Sequence, residues 1–319
     1  MWPFTGAGFH KLDKHADSLK KRALKLKKLG VGRFKLGRLL VDLLLFPSDV
    51  RLVYRGFVHF HKREPKLIKP RTFSDKIQAW KLLGRKDRHS VYSDKLAARD
   101  FIRRVCGDLV RIPRLIWVGE DLSLARSIAL PKKFVIKPNH TSGDIIIVED
   151  VDNFDWEEAI GKSKAWLARD FSFNVGDWVC RWIKPQVFIE EFLGDSNGIV
   201  PPDYKFFCFN GTVHFIEVDY GRYRNLAQAF YNTDFQRMPV YYGHRSRSKS
   251  YEGDAIKPKN LESMIRIAEM LSKGEPFLRI DMYDGEKPIM GEIGVHPHSG
   301  YAAFEPADWD LLFGSLCGR

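Results

Sequence analysis

Residues 134–150 read FVIKPNHTSGDIIIVED, and the rest of the chain is organised around them. Four strand-type residues (Phe134, Val135, Ile136 and Lys137) run into a polar, glycine-containing tip at residues 138–144. A second apolar run, Ile145 to Val148, follows. The pattern predicts a β-hairpin. A lysine that ends a buried strand costs free energy unless an anion meets it, and the tip offers backbone N–H groups and hydroxyls that can wrap a phosphate. The stretch therefore reads as a nucleotide phosphate clamp, while the same pattern also fits an ordinary hairpin whose lysine reaches solvent.

Upstream of the hairpin, Leu115 to Val118 has strand character. Thr72 is placed to cap a helix over residues 72–83, and Ser93 to cap another carrying Lys95, Arg99 and Arg103. Downstream, residues 156–169 predict a helix, and residues 186–193 (QVFIEEFL) a strand ending in two carboxylates. Residues 203–209 (DYKFFCF) and 213–220 (VHFIEVDY) alternate as strands about an Asn210-Gly211 turn. A helix with Leu261, Ile265, Ala268 and Leu271 along one face precedes two more strands, residues 277–283 (FLRIDMY) and 288–293 (PIMGEI). Their hairpin sets Asp281 opposite Glu292. Two close carboxylates repel unless a cation sits between them, and oxygen ligands beside phosphates suit Mg²⁺.

The formal charge of +12 is unevenly placed, with residues 1–40 holding +9 and the rest of the chain only +3. The body is therefore not a nucleic-acid-binding domain by charge. Leu12, Ala16, Leu19, Ala23, Leu26 and Leu29 sit at helical spacing among the N-terminal lysines, which predicts a basic amphipathic helix. Such a helix lies on an anionic membrane surface, holds an acidic polymer, or is simply solvated. The run LLVDLLLF at residues 39–46 is too short to span a bilayer and reads as a buried or interfacial helix. It begins too late, and lacks the small-residue cleavage site, for a secretory signal. Val58, His59, Phe60 and His61 alternate, which puts both histidines on one strand face in a structural role. The four cysteines show no C-x-x-C spacing, so neither a zinc site nor a disulfide framework is indicated, and a reducing cytoplasm is the simplest compartment.

Seven motifs in order (TFSDKIQAWKL, SDKLAARDFI, FVIKPNHTSGDIIIV, IEEFL, DYKFFCFNG, FLRIDMY and GEIGVHPHSG) resemble the TupA-like ATP-grasp family associated with teichuronic acid and other surface polysaccharides. The resemblance covers residues 71–319. It implies an α+β, ATP-grasp fold in which two α+β subdomains clamp ATP; the basic helical N-terminal extension at residues 1–65 is an addition that it does not explain. The expected divisions are residues 66–130, a small subdomain at 131–195 with the phosphate hairpin, and a C-terminal subdomain at 196–319 with the metal site.

Carried over motif by motif, the resemblance implies that Lys95 or Arg99 and Lys137 contact phosphates, with Ser142 and Gly143 closing over them. Glu190, Glu191 and Phe192 form the hinge that meets adenine, and Asp203 stands where ribose is bound. Lys205, Arg222 and Arg224 face the phosphates or the acceptor. Asp281 and Glu292 match magnesium ligands, with Mn²⁺ as a substitute, and Arg279 matches an arginine that steadies the developing oxyanion. One position departs from the pattern: Gly294 stands where an asparagine ligand is usual, leaving His296, another oxygen or water to complete the shell. The implied activity is ATP- and Mg²⁺-dependent joining of a glycan carboxylate, such as a uronic acid, to an amine through an acyl phosphate. A kinase-like phosphotransferase and a non-catalytic membrane- or polyanion-binding protein are the rival readings.

Overall fold

The structure is a computed structural model that describes residues 7–194, 200–221 and 225–318; of residues 7–14, 174 and 175 it describes the backbone alone. Two long helices, α1 (Ala7–Lys28) and α2 (Lys35–His61), lead into α3 (Phe73–Leu83), α4 (Asp87–Ser93) and α5 (Ala97–Cys106). Then comes a smaller antiparallel sheet of β1 (Leu115–Gly119), β2 (Phe134–Pro138), β3 (Ile146–Val148) and β4 (Val187–Glu191), in the order β1-β4-β2-β3. The helices α6 (Trp156–Ala168) and α7 (Ser172–Val175) lie between β3 and β4 in sequence.

A larger sheet takes β5 (Asp203–Phe209), β6 (Thr212–Tyr220), β7 (Ala227–Tyr231) and the short β8 (Arg237–Met238). After β9 (Tyr241–Gly243), β10 (Lys249–Ser250) and α8 (Leu261–Ser272), it is completed by β11 (Phe277–Tyr283) and β12 (Ile289–Gly294). Its path is β10-β7-β6-β5-β11-β12, with β8 on β7. The strand β13 (Ala303–Glu305), which pairs with β9, and the helix α9 (Asp308–Leu316) close the chain.

All seven residues of β5 and all seven of β11 are buried, so the period of two separates two kinds of interior rather than inside from outside. Tyr204, Phe206, Cys208, Ile280 and Met282 point to one face, into a core shared with α5 and α8. The opposite face is divided along its length. At one end Phe207, Phe209, Phe215 and Phe277 pack with Phe73 of α3 and Phe313 of α9, and each such ring contributes about 2 kcal/mol by burial. At the other end the same face is polar, and that is where the candidate site lies. In the smaller sheet, Phe134, Ile136, Val187 and Ile189 face a core covered by α6, so Val135, Lys137, Phe188 and Glu190 share the opposite face.

The N-terminal helices pack on each other through Ala23, Val41 and Leu45, and they are pinned to the body by buried charge. Arg181, with no exposed side-chain surface, donates from Nη2 to Asp49 at 2.6 Å and from Nη1 to Asp42 at 2.9 Å, while Asp49 also takes Arg85. Lys27 bonds Asp170 at 2.8 Å and the Arg181 carbonyl at 2.9 Å. At the far end of α2, Phe60 stacks on Tyr301 and His61 bonds the Gly300 carbonyl at 3.0 Å. Gly56 makes that approach feasible, because a Cβ there would lie 2.6 Å from the Tyr301 ring and hydroxyl.

Two local expectations are corrected. Residues 58–61 are the last turn of α2 and not a strand; Val41, Leu45, Val53 and Phe57 continue a helical spacing into it, and Phe57 stacks on His61 one turn on, at 4.2 Å. Four alternating residues are too short a window to overrule that longer period. Ser93 ends α4 instead of capping the next helix; α5 begins at Ala97, with the Leu96 N–H held by Asp94 at 2.9 Å. Thr72 does cap α3, accepting from the Asp75 N–H at 3.1 Å.

Candidate active site

Cross-strand register assembles the polar face from five strands. Lys205 pairs with Glu217 on β6 and with Asp281 on β11, and Asp281 pairs with Glu292 on β12. Two residues away, Asp203 faces Asp219, which faces Gln228 on β7. Lys205 is 4% exposed and lies among three carboxylates, bonded to Asp203, 3.1 Å from Asp219 and 3.6 Å from Asp281. Arg279 grips both oxygens of Asp281 at 2.7 Å, through Nε and Nη2, and reaches Glu292 at 3.2 Å. Burial opposes the Arg279 charge, but Asp281 and Glu292 more than restore it and raise its pKa.

Five carboxylates thus share one face with two cations, and burial disfavours the ionised form of two of them. Burial, followed by the Asp219 charge, pushes the Glu217 carboxyl up to about 8, against the smaller pull of Lys205 and Arg279. Glu217 Oε2 has no hydrogen-bond partner among the described residues, while Oε1 takes the Gln228 amide. Burial also raises Asp281 despite Arg279 and Lys205.

The smaller sheet carries the opposite polarity. Lys137 donates to Glu190 Oε1 at 2.7 Å, and Arg99 lies 3.5 Å from Glu190 Oε2, so two cations share one carboxylate. Burial lowers the Arg99 pKa, and Glu190 works against that. Lys95 ties the hairpin tip from below, donating its N–H to the Asn139 carbonyl at 3.1 Å and its ammonium to the Thr141 carbonyl. Ser142 and Gly143 stand exposed at the tip, with Gly143 at φ 82°. The two sheets are joined through Arg111, whose guanidinium holds Glu191 and whose backbone bonds Pro288 and Met290 at 2.8 Å each. A cavity of about 990 Å³ opens beside that joint, lined by Arg111, Leu193, Gly194, Pro201, Lys287 and Ile289. A smaller cavity of about 280 Å³ lies between β3 and α6, away from these groups.

Set against the expected site, Lys205, Arg279, Asp281 and Glu292 come together on one sheet, and Lys137 and Glu190 on the other, where Arg99 of α5 meets them. Glu191 braces Arg111 and the Arg114 N–H, and Phe192 lies under Lys133 at 6.0 Å. Asp203 is fully buried with its carboxylate on Lys205. His296 is turned into the protein, bonding Asp177 at 2.8 Å, rather than toward Glu292. Arg222 and Arg224 lie outside the described residues. Gly294 has a packing reason, since it pairs with Arg279 across the hairpin and a Cβ there would sit 3.3–3.5 Å from the Arg279 side chain.

Glu217, Asp219, Gln228 and Arg111 were not anticipated. The first two carried a signal, because carboxylates two apart in the apolar strand VHFIEVDY must share a face. Arg111 sits in an irregular segment with no pattern to single it out.

A sequence model described as TupA-like ATPgrasp matches residues 75–317. The chain belongs to the TupA-like ATP-grasp family. Its two sheets, with a lysine-bearing hairpin on one and the arginine–carboxylate face on the other, are the ATP-grasp fold. Similar solved structures include an L-amino acid ligase from Bacillus licheniformis (18% identity, 78% of this chain and 55% of that one, TM-score 0.45). The ATP-grasp ligase PsnB with its minimal precursor is 12% identical over 76% of this chain and 65% of that one, at TM-score 0.38. A D-alanine–D-alanine ligase from Bacillus anthracis is 16% identical over 64% of this chain and 57% of that one, at TM-score 0.35. The chain thus covers less than two thirds of the length of each. A search of curated protein sequences gives no significant match.

Proposed function

We propose that this TupA-like ATP-grasp protein is a cytoplasmic carboxylate–amine ligase that uses ATP and Mg²⁺. The observation that carries the reading is the opposed polarity of the two sheets. On the smaller sheet Lys137, joined by Arg99 from α5, stands over a single carboxylate, and the larger sheet presents an excess of carboxylates around Lys205 and Arg279. A polyphosphate suits the first, and a divalent cation suits the second.

The donor set fits Mg²⁺. Among the described residues no three His, Cys, Asp or Glu side chains form a ready cage, but Mg²⁺ needs only one or two carboxylates when phosphates and water complete its shell. Asp281 and Glu292 would hold it, Glu292 being the more open with 32% of its side chain exposed. Bound there, the ion would neutralise phosphate charge and offset the acidic excess. Lys137 binds phosphate as a point charge, with Glu190 fixing its position. Arg279 is held in line by Asp281 and steadies negative charge that develops on the transferring group and the acyl oxygen. A carboxylate is a poor electrophile until phosphorylation gives it a leaving group, and the amine then displaces phosphate to leave an amide.

The substrate we propose is a uronic acid or related carboxylate of a surface polysaccharide or its precursor, amidated by an amino acid or other amine. Mass spectrometry of a uronic acid incubated with amino acids, ATP and Mg²⁺ tests this. An amide product with release of ADP and phosphate is expected. A phosphorylated sugar without an amide would instead identify a phosphotransferase.

A further inference from the structure

The helix α2 is apolar on two sides, yet only one of them is covered. Val41, Leu45, Val53 and Phe57 are fully buried. Leu36, Leu39, Leu40 and Leu43, spaced i, i+3, i+4, i+7, form a second stripe that is 79, 56, 47 and 63% exposed. Phe34 and Leu29, at 73 and 70%, extend it across the turn to α1. A helix that is apolar all round belongs in a core, and this one is held at the surface by the buried Arg181–Asp42–Asp49 pairs, so the stripe cannot turn inward.

The same hairpin is strongly cationic. Lys21, Lys25, Lys28, Arg33 and Lys35 are exposed and make no ion pair with any described carboxylate. The acidic groups whose side chains are described here are already engaged, Asp17 by Arg51 and Asp42 by Arg181.

We infer that the α1–α2 hairpin docks on an anionic lipid bilayer, inserting the Leu36–Leu39–Leu40–Leu43 stripe and Phe34 at the headgroup boundary while its cations meet lipid phosphates. Each alternative occupant leaves one half of the surface unmet. An acidic polysaccharide satisfies the cations and leaves the leucines in water. A second copy covers the leucines but brings two cationic hairpins together. An anionic bilayer answers both. No helix of the described residues is long and apolar enough to cross a membrane, so the attachment is peripheral. At the far end of α2, about 27 Å along the helix axis from Leu43, Phe60 and His61 hold the loop at Gly300 and Tyr301.

The test is sedimentation of the full chain with vesicles of phosphatidylcholine alone or mixed with phosphatidylglycerol, without nucleotide, so that its outcome is independent of the ligase reading. Wild type should bind the mixed vesicles and release as salt rises. The variant Leu36→Ser/Leu39→Ser/Leu40→Ser/Leu43→Ser changes exposed side chains only and should bind more than about tenfold more weakly. Lys21→Glu/Lys25→Glu/Lys28→Glu should lose the preference for anionic vesicles. Equal binding by wild type and the serine variant, or no vesicle binding by either, would overturn the inference. Wild-type self-association abolished by the serine variant, without vesicle binding, would reassign the stripe to a dimer. Binding to an acidic polysaccharide that the serine variant retains, again without vesicles, would reassign the charges.

Discussion

Glu217 gives the sharpest test of the acidic face. Its carboxyl is fully buried among Asp219, Lys205, Arg279 and Asp281, and its pKa stands at about 8 against an ordinary 4.5. A carboxyl raised on folding holds its proton more tightly in the native state. Its stabilising contribution is therefore complete below pH 4.5 and is lost as pH climbs through 8. The slope for one such proton is about 1.4 kcal/mol per pH unit, so stability should fall by about 4 kcal/mol between pH 5 and pH 8 from this group alone. Glu217→Gln keeps the shape and the contact with Gln228 but cannot ionise. Urea unfolding of both proteins across that range, without Mg²⁺ or nucleotide, isolates the term, because every other titration appears in both. The variant should be close to wild type at pH 5 and more stable by a few kcal/mol at pH 8. A difference that stays constant with pH would show Glu217 to be ionised throughout and would refute the raised carboxyl that burial and the Asp219 charge impose.

Lys137→Met removes the ammonium that lies 2.7 Å from Glu190, and calorimetry should show ATP affinity lower by about ten- to a hundredfold in a folded protein. Glu292→Gln, at a partly exposed position, should lower turnover by about two orders of magnitude with little change in unfolding midpoint, measured alongside product formation. Asp281→Asn should lose activity and also stability, because it takes one charge from the Arg279 and Lys205 pairs in the interior. Asp49→Asn should cost about 3 kcal/mol by urea unfolding, since Arg181 and Arg85 both rely on that carboxylate; Asp42→Asn, at the edge of the same network, should cost less.

The sequence by itself determined the strands and the order of the chemistry. Residues 134–148, 203–220 and 277–293 announce hairpins because alternation and turn residues are local properties of the chain, and the Asp281–Glu292 pairing follows from one short hairpin. Tertiary structure decided the rest. Lys205 meets Asp219 and Asp281 only because β5 lies between β6 and β11, a sheet order that no local pattern encodes. The same placement seals Asp203 beneath Lys205 and lifts Glu217 to about 8, since desolvation depends on what covers a group and not on its neighbours in sequence. On α2, apolar residues of equal hydrophobicity are divided between core and water by the Arg181 pairs from residues more than a hundred positions away. Periodicity shows that a helix has apolar faces; only packing shows which of them is left uncovered.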